Sequence, residues 1–537
     1  MTITTELQYS LLTDPLIRYR RVADGGTVHA SLPQLLAALA ADEVRDYPAL
    51  RAHQRHPWHA FLVQLAAIAL HQADQATPFA TPAEWQAALL ALTPDDADGA
   101  AWCLVTPPGR PAFMQAPVVG GSVDGWKSQA FAADAIDMLV TSKNHDIKAS
   151  RARQSQPEDW LYALLSLQTQ EGYGGATNYG ISRMNSGSGS RSGIGVAAVG
   201  QHGLRWARDC AALLVQRALT AERNELKSAG GLALVWLRPW DGIASLSITA
   251  LDPFYIEICR RIRLQGHGNA ITAIGTGSKV ARIAAKELKG LTGDAWTPLN
   301  IEGGKALTIT GNGFDYKLVS ELLFSGKYQP SIAHREGLST AGSKLVFIAQ
   351  GIARGESKTE GYHERRVPIS PKARSLLANN QKEPLARLSV QRIAVIGEVR
   401  KLLWLALAVL FSNGRSGDNS DATKAKATTF AAPFERAEDA RFFDDLNAEL
   451  EATDPAAQRL QWMRELVGRA EAVLQTAFAA GPRNGNQKYK AQSAALSRFH
   501  GGLRSDKSPL PELTHYYRQQ AALRSIAPTE EPPLDFA

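Results

Sequence analysis

Cysteine is scarce: three residues in 537, Cys103, Cys210 and Cys259, stand far apart with no C-x-x-C pair. That spacing excludes a disulfide framework and a cysteine-based zinc finger, and it fits a reducing cytoplasm. Long hydrophobic runs are missing as well. The densest, LLWLALAVLF at 402–411, is about half of the ~20 residues that a bilayer-spanning helix needs. The opening MTITTELQYSLLTDP has no basic segment followed by an apolar one, so no secretory signal is expected there. The chain reads as a non-membrane, cytoplasmic protein.

What is present is ordinary globular composition, 45% hydrophobic and 21% charged, in a chain long enough for more than one domain. Lys and Arg number 59 against 52 Asp and Glu, a formal charge of +7. Such a balance favours polyanionic partners, but the placement of the charge matters more than its sum.

The pattern along the chain predicts two parts. Residues 1–383 read as a large mixed α/β domain with long loops, and 384–537 as a C-terminal helical bundle with a frayed tail, an α+β class overall. At the start, LIRYRRV, the turn Asp24-Gly25-Gly26 and TVHASL predict a hairpin opening onto a helix at 33–41. Two helices are expected within 58–92 and one at 158–168. Strands are predicted at LALVWL, ALTIT and SKLVFIAQGIA, and short helices at IEICRRIRL and VARIAAKEL. In the second part, helices are expected at 385–412, 435–452, 455–480 and 486–524, with a break near Gly501-Gly502. The polar, apolar-poor stretch 413–433 predicts a loop.

Three stretches can carry chemistry. At 172–195 (GYGGATNYGISRMNSGSGSRSGIG), eight of 24 residues are Gly and five Ser, with no acid and two arginines, Arg183 and Arg191. Such backbone can approach a ligand closely. It matches neither a P-loop nor G-x-G-x-x-G, which leaves a loop laid against a nucleic-acid groove or a surface linker. The second stretch, 141–153, holds Lys143, Lys148, Arg151 and Arg153 against Asp146. It is either a phosphate-neutralising cluster or a solvated face. The third, 354–374, has six basic residues to three acids, with Gly355 and Gly361 framing a tip after an apolar strand. That tip is a contact loop or a salt-bridged hairpin end. No G-x-S-x-G elbow or Cys/His pairing is present. His145 and Asp146 leave open an alternative, a metal-dependent nuclease acting on DNA or RNA, although no further ligands follow at helical spacing.

The chain resembles the CasA family, the large subunit of the type I-E CRISPR Cascade complex. The resemblance runs through YSLLTDPLIRYRRVADGGTVHASLPQLL at 9–36, where Leu16 stands in place of a tryptophan, and PAFMQ at 111–115. EGYGGATNYG at 171–180, DPFYIEICRRIRL at 252–264, GDAWTPL at 293–299 and GESKTEGYHERRVPI at 355–369 follow in family order. The region 384–525 resembles the family's C-terminal four-helix bundle.

The resemblance implies a non-enzymatic subunit of an RNA-guided surveillance complex. Guide RNA held by sibling subunits would read the target by base pairing, while this chain would inspect the protospacer-adjacent motif in double-stranded DNA, start strand separation and help recruit a helicase-nuclease. The family's minor-groove glycine loop matches Gly172, Tyr173, Gly174 and Gly175, with Arg183 nearby. Its wedge and groove-reading positions fall on Lys358, Thr359 and Glu360. A further groove-facing lysine is implied at 279–305, where Lys279, Lys286, Lys289 and Lys305 are candidates and Lys286 and Lys289 are favoured. A loop touching siblings and guide RNA falls at Lys143, Asn144, His145, Lys148 and Arg151. No cofactor, metal or membrane is implied.

Overall fold

The computed structural model describes residues 6–137, 155–185, 189, 191–268, 270–338, 344–355, 358–417 and 420–526. The chain divides into two units, one of 1–314 with 321–369 and one of 315–320 with 370–537. The second unit therefore takes in 370–383 as well as the expected helical region. Mixed helices and strands in the first unit and helices in the second make up the α+β class read from the pattern.

The first unit opens on the expected hairpin. Ile17–Arg21 pairs antiparallel with Thr27–Ala30, and Asp24 closes the turn by accepting from the Gly26 N–H at 2.9 Å. Helix α1 (Leu32–Ala40) follows, with proline in its first turn and the Gln34 side chain accepting from the Ser31 N–H at 2.8 Å. That reciprocal cap satisfies amides that the helix itself leaves free. Helix α2 (Arg55–Gln72) is the axis of the unit, with 14 of its 18 residues buried. A helix apolar on all sides must be surrounded, and α3 (Pro82–Ala91), α4 (Pro157–Gln170), α5 (His202–Arg223) and the strand Leu251–Ile256 pack around it. Tryptophans 58, 85, 102, 160, 206, 236 and 296 are all fully buried there.

Two segments expected to be helical are extended. IEICRRIRL spans the end of the strand Leu251–Ile256 and the start of Arg261–His267, which pairs over seven residues with Ala270–Thr276. The cause is Arg263, only 1% exposed, whose guanidinium donates to the carbonyls of Thr106, Pro107 and Arg110. A buried guanidinium satisfied by a neighbouring loop fixes the segment more strongly than helical propensity does. In VARIAAKEL, Arg282 likewise donates to the carbonyls of Val235, Arg238 and Pro239. Only the single turn Lys286–Leu288 is helical there, and Lys289 ends it with φ +50°. Of ALTIT, only Ala306 lies in a strand, the two-residue Lys305–Ala306.

In the second unit, Glu383–Phe411, Asp421–Glu451, Pro455–Ala477 and Gly485–Arg504 form the bundle, with Pro511–Ile526 after it. The expected loop 413–433 is helical from Asp421 onward. Ser420 caps it by accepting from the Thr423 N–H, and Thr423, Ala427 and Ala431 form a buried stripe four residues apart. Small residues at that period let helices approach closely, although they contribute little hydrophobic signal to a sequence window. The break expected at Gly501-Gly502 falls instead at 505–510. A Cβ on Gly502 would lie 2.5 Å from Leu402 Cδ2, so this glycine admits a neighbouring helix rather than ending its own. The apolar run 402–411 supplies buried Leu402, Leu403, Ala406, Leu407, Val409 and Leu410. No described helix is long and apolar enough to cross a membrane.

All three cysteines are buried. Burial pushes the Cys103 thiol up to about 11 and Cys259 to about 12, and Cys210 also rises well above the usual range. Thiolate is the reactive form. The native protein at pH 8 is therefore expected to leave all three thiols unmodified by a disulfide reagent, and denaturant to release three equivalents. Fast modification of the native protein would contradict this burial.

Candidate nucleic-acid interface

The glycine-rich tract begins where α4 stops. Glu171 accepts from Arg354 of the strand Leu345–Gly355 and lies 3.8 Å from Arg260. Arg260 also donates to the Gly172 carbonyl at 2.7 Å and to that of Tyr179. Between those anchors, the Gly174 N–H donates to Asn178 O at 2.8 Å and the Asn178 N–H to Gly175 O at 3.0 Å. This tight turn needs φ +114° at Gly175, a region that side chains disfavour. A Cβ on Gly180 would stand 2.3 Å from Met184 Cε and 2.7 Å from the Gly172 carbonyl carbon, so the two ends of the turn can meet only without one.

Beyond the turn, two buried ion pairs hold the tract. Arg183 is 2% exposed, stacks 3.9 Å from the Tyr255 ring centroid, donates to Tyr255 O at 2.6 Å and lies 3.4 Å from Glu257. The expectation that Arg183 contacts DNA does not hold, because its guanidinium is consumed inside the unit and presents no charge at the surface. Arg191 pairs with Asp294 at 2.6 and 3.0 Å, with both side chains buried. The same loop holds the tract again through Ile194 N–H to Trp296 O at 2.9 Å and Thr297 Oγ1 to Ser192 O at 2.9 Å.

The turn forms one wall of a groove of about 570 Å³. Tyr173, 41% exposed, and Tyr179 stand with ring centroids 6.0 Å apart, and the Tyr179 hydroxyl donates to Lys279 O at 2.9 Å. Exposed Lys279 and Lys286 line the groove as well, together with Ile181, Met184 and Ile283, and no acid lines it. Aromatic faces and ammonium groups around an acid-free channel suit a nucleic-acid strand, which offers bases to stack and phosphates to neutralise. Residues more than 100 positions apart are thus brought together. Lys289 and Lys305 are exposed but do not line the groove. Tyr179, six positions from Tyr173 across a glycine turn, is not among the site residues expected from the sequence.

The strands Leu345–Gly355 and Lys358–Ile369 form a hairpin, one of the two readings left open for this stretch, with a register shift between Ala353 and Arg354 and φ +136° at Gly361. The Arg354–Glu171 contact seats its outer end against the start of the glycine turn. Glu360 is exposed, whereas Thr359 is 2% exposed and its side chain cannot face a ligand. Lys358 pairs with Gly355 through its backbone, and its side chain lies outside the described residues. Further along, Arg366 donates to Glu364 at 2.6 Å, and the Tyr362 hydroxyl donates to Glu364 at 2.9 Å. Lys143, Asn144, His145, Asp146, Lys148 and Arg151 lie outside the described residues. Among the described residues, no group of three or more His, Cys, Asp or Glu could hold a metal ion.

Burial alone would raise the Asp294 carboxyl, but the adjoining Arg191 guanidinium outweighs it and holds the group at about 2. Its stabilising contribution is complete above the unfolded carboxyl value of about 3.9 and is lost as pH falls through 2. Asp294→Asn should destabilise the first unit by about 3–5 kcal/mol at neutral pH, as expected for an unpaired buried guanidinium. It should also flatten the acid limb of stability between about pH 4 and 2. Urea titrations across that range measure both effects, and an unchanged acid limb would refute the assignment.

No family model matches the chain, and no curated protein matches it in sequence. Its similarity is to solved structures. CRISPR-associated protein Cse1 from Acidimicrobium ferrooxidans superposes with a TM-score of 0.62 at 16% identity, over 96% of this chain and 99% of that one. Thermus thermophilus CasA (Cse1) gives 0.63 at 12%, over 92% and 99%. Thermobifida fusca Cse1 gives 0.59 at 13%, over 94% and 98%. The fold is the one that the resemblance in the sequence implied.

Proposed function

We propose that this chain, which has the Cse1 (CasA) fold, is the non-catalytic large subunit of an RNA-guided type I-E CRISPR surveillance complex. It recognises the motif adjacent to the target in duplex DNA, begins strand separation and helps to recruit a helicase-nuclease. One observation carries this reading: Tyr173, Tyr179 and Gly180 of the glycine turn share one acid-free groove with Lys279 and Lys286, and the 345–369 hairpin is seated at the turn's root. Sibling subunits and guide RNA complete the site.

The groove fits the task physically. Backbone at Gly174 and Gly175 is thin enough for a minor groove about 6 Å wide. Readout there distinguishes A·T from G·C but little else, so several adjacent motifs should be tolerated. Unstacking the first base step takes a few kcal/mol, which phosphate contacts from the lysines and pairing with the guide together offset.

The test is salt-titrated binding of guide-matched duplexes, with and without a candidate motif, to sibling subunits and guide RNA reconstituted with and without this chain. Motif-dependent affinity is expected only when the chain is present. Lys279→Ala and Lys286→Ala should each weaken binding and lower the slope of log K against log salt by about 0.9 per lost phosphate contact. Gly175→Asp should abolish motif dependence. Affinity indifferent to the chain would overturn the reading, and DNA cleavage by the chain alone with divalent metal would overturn its non-catalytic part.

A further inference from the structure

A second pocket, of about 360 Å³, opens in the first unit and shares no lining residue with the groove. The first turns of two long helices supply much of its wall: Arg55, Trp58 and His59 from α2, and His202 and Arg205 from α5. Neither first turn contains an acid. Helix N-termini carry partial positive charge, which favours an anion nearby, although the Leu204 N–H of α5 is already taken by Asp42 at 3.1 Å.

The side chains add to this. Arg20 and Arg366 complete the lining with Arg55 and Arg205, and Asp46 is its only acid. Asp46 pairs with Arg20 at 2.6 Å and lies 3.7 Å from Arg45. Glu364 lies 3.9 Å from Arg55 and 2.6 Å from Arg366. Beneath the floor, buried Asp209 is shared by His59 at 2.8 Å, Arg208 at 2.6 Å and Arg205 at 3.8 Å. With Asp42, six guanidinium groups thus meet four carboxylates, leaving two positive charges in excess around one small cavity. Arg205 Nε is buried with no hydrogen-bond partner. Burial and the charge of Arg205 hold His59 down at about 4, so its imidazole adds no charge near pH 7.

We propose that this pocket binds a phosphomonoester, the phosphate of a nucleotide or of a phosphorylated strand end. Paired guanidinium groups match the geometry of phosphate oxygens, with two parallel donors each, and the volume is in the range of small-molecule sites. The surplus charge is then satisfied by the ligand.

The test is calorimetric titration of the full chain in low-salt, phosphate-free buffer. The probes are inorganic phosphate, a nucleoside 5′-monophosphate, and one oligonucleotide carrying either a 5′-phosphate or a 5′-hydroxyl. Saturable binding of the phosphate-bearing probes is expected, and the 5′-hydroxyl strand should bind more weakly than its phosphorylated twin. Whichever probe binds most tightly identifies the source of the phosphate. Arg205→Gln and Arg366→Gln should each reduce affinity by roughly tenfold or more, as loss of a charge-assisted hydrogen bond implies. Arg205 is largely buried and its variant can fail to fold, but the Arg366 side chain is 53% exposed, so Arg366→Gln keeps the test decisive. Absence of saturable binding by every phosphate probe, or affinity unchanged in Arg366→Gln, would overturn the proposal.

Discussion

Arginine–carboxylate pairing inside the first unit is the constraint on which the groove depends. A tract that is one-third glycine and one-fifth serine has little apolar surface to bury beyond Ile181, Met184 and Ile194, so the hydrophobic effect alone does not position it. Ion pairs do so instead: Glu171 with Arg354 and Arg260 at its start, Arg183 with Glu257 in its middle, and Arg191 with Asp294 near its end. Each takes charge out of water, and such pairs contribute little net stability compared with apolar replacements. What they supply is position, because a buried guanidinium tolerates few arrangements in which its donors are satisfied. The two deep pairs also differ in balance. Burial keeps the Glu257 carboxyl above its ordinary range despite Arg183, whereas Arg191 overcomes burial at Asp294. The Arg191–Asp294 pair is therefore the firmer anchor, and it joins the tract to Trp296 and through Gln64 to the central helix α2.

With its ends fixed, the tract can leave its first turn exposed without losing its shape. Gly174 to Asn178 is held by only two backbone hydrogen bonds and the Thr177 carbonyl, which accepts from Ser278. The last contact ties the turn to the segment that carries Lys279. Tyr179 repeats the tie through its hydroxyl, so aromatic wall and lysine wall are set by the same two hydrogen bonds. The groove thus has a defined width although neither wall contains regular secondary structure along its whole length.

Much of the fold was legible because periodicity and turn chemistry operate locally. The opening hairpin, α1, the pair α2 and α3, α4 and the strand Leu345–Gly355 all follow from apolar spacing, capping residues and glycine turns. The failures share a cause: side chains whose partners lie far away in sequence. Arg263 and Arg282 look like the polar face of a helix until the carbonyls that receive them, up to 157 positions away, are known. The stripe Thr423, Ala427 and Ala431 looks like a loop because its packing depends on closeness rather than bulk. At the site, the glycine turn was visible from composition and the family resemblance. The choice among four lysines was not, since exposure is common to all of them and only the folded groove separates Lys279 and Lys286 from Lys289 and Lys305.

The same contrast explains why net charge was a weak guide to the interface. A guanidinium is planar, weakly hydrated and rich in donors, so carbonyls and carboxylates can satisfy it inside a protein, whereas an ammonium holds its water and remains outside. Arg183, Arg191, Arg263, Arg282 and Arg392 are buried, and Lys279, Lys286, Lys289 and Lys305 are exposed. Counting both residue types together mixes structural charge with charge offered to a partner. In a glycine-rich region near a polyanion, an arginine is available to the ligand only if no buried carboxylate or carbonyl cluster claims it. By that criterion Arg183 belongs to the scaffold and the groove lysines to the surface. The arginines around the second pocket satisfy it in the opposite direction, because there the nearby carboxylates are too few to occupy them all.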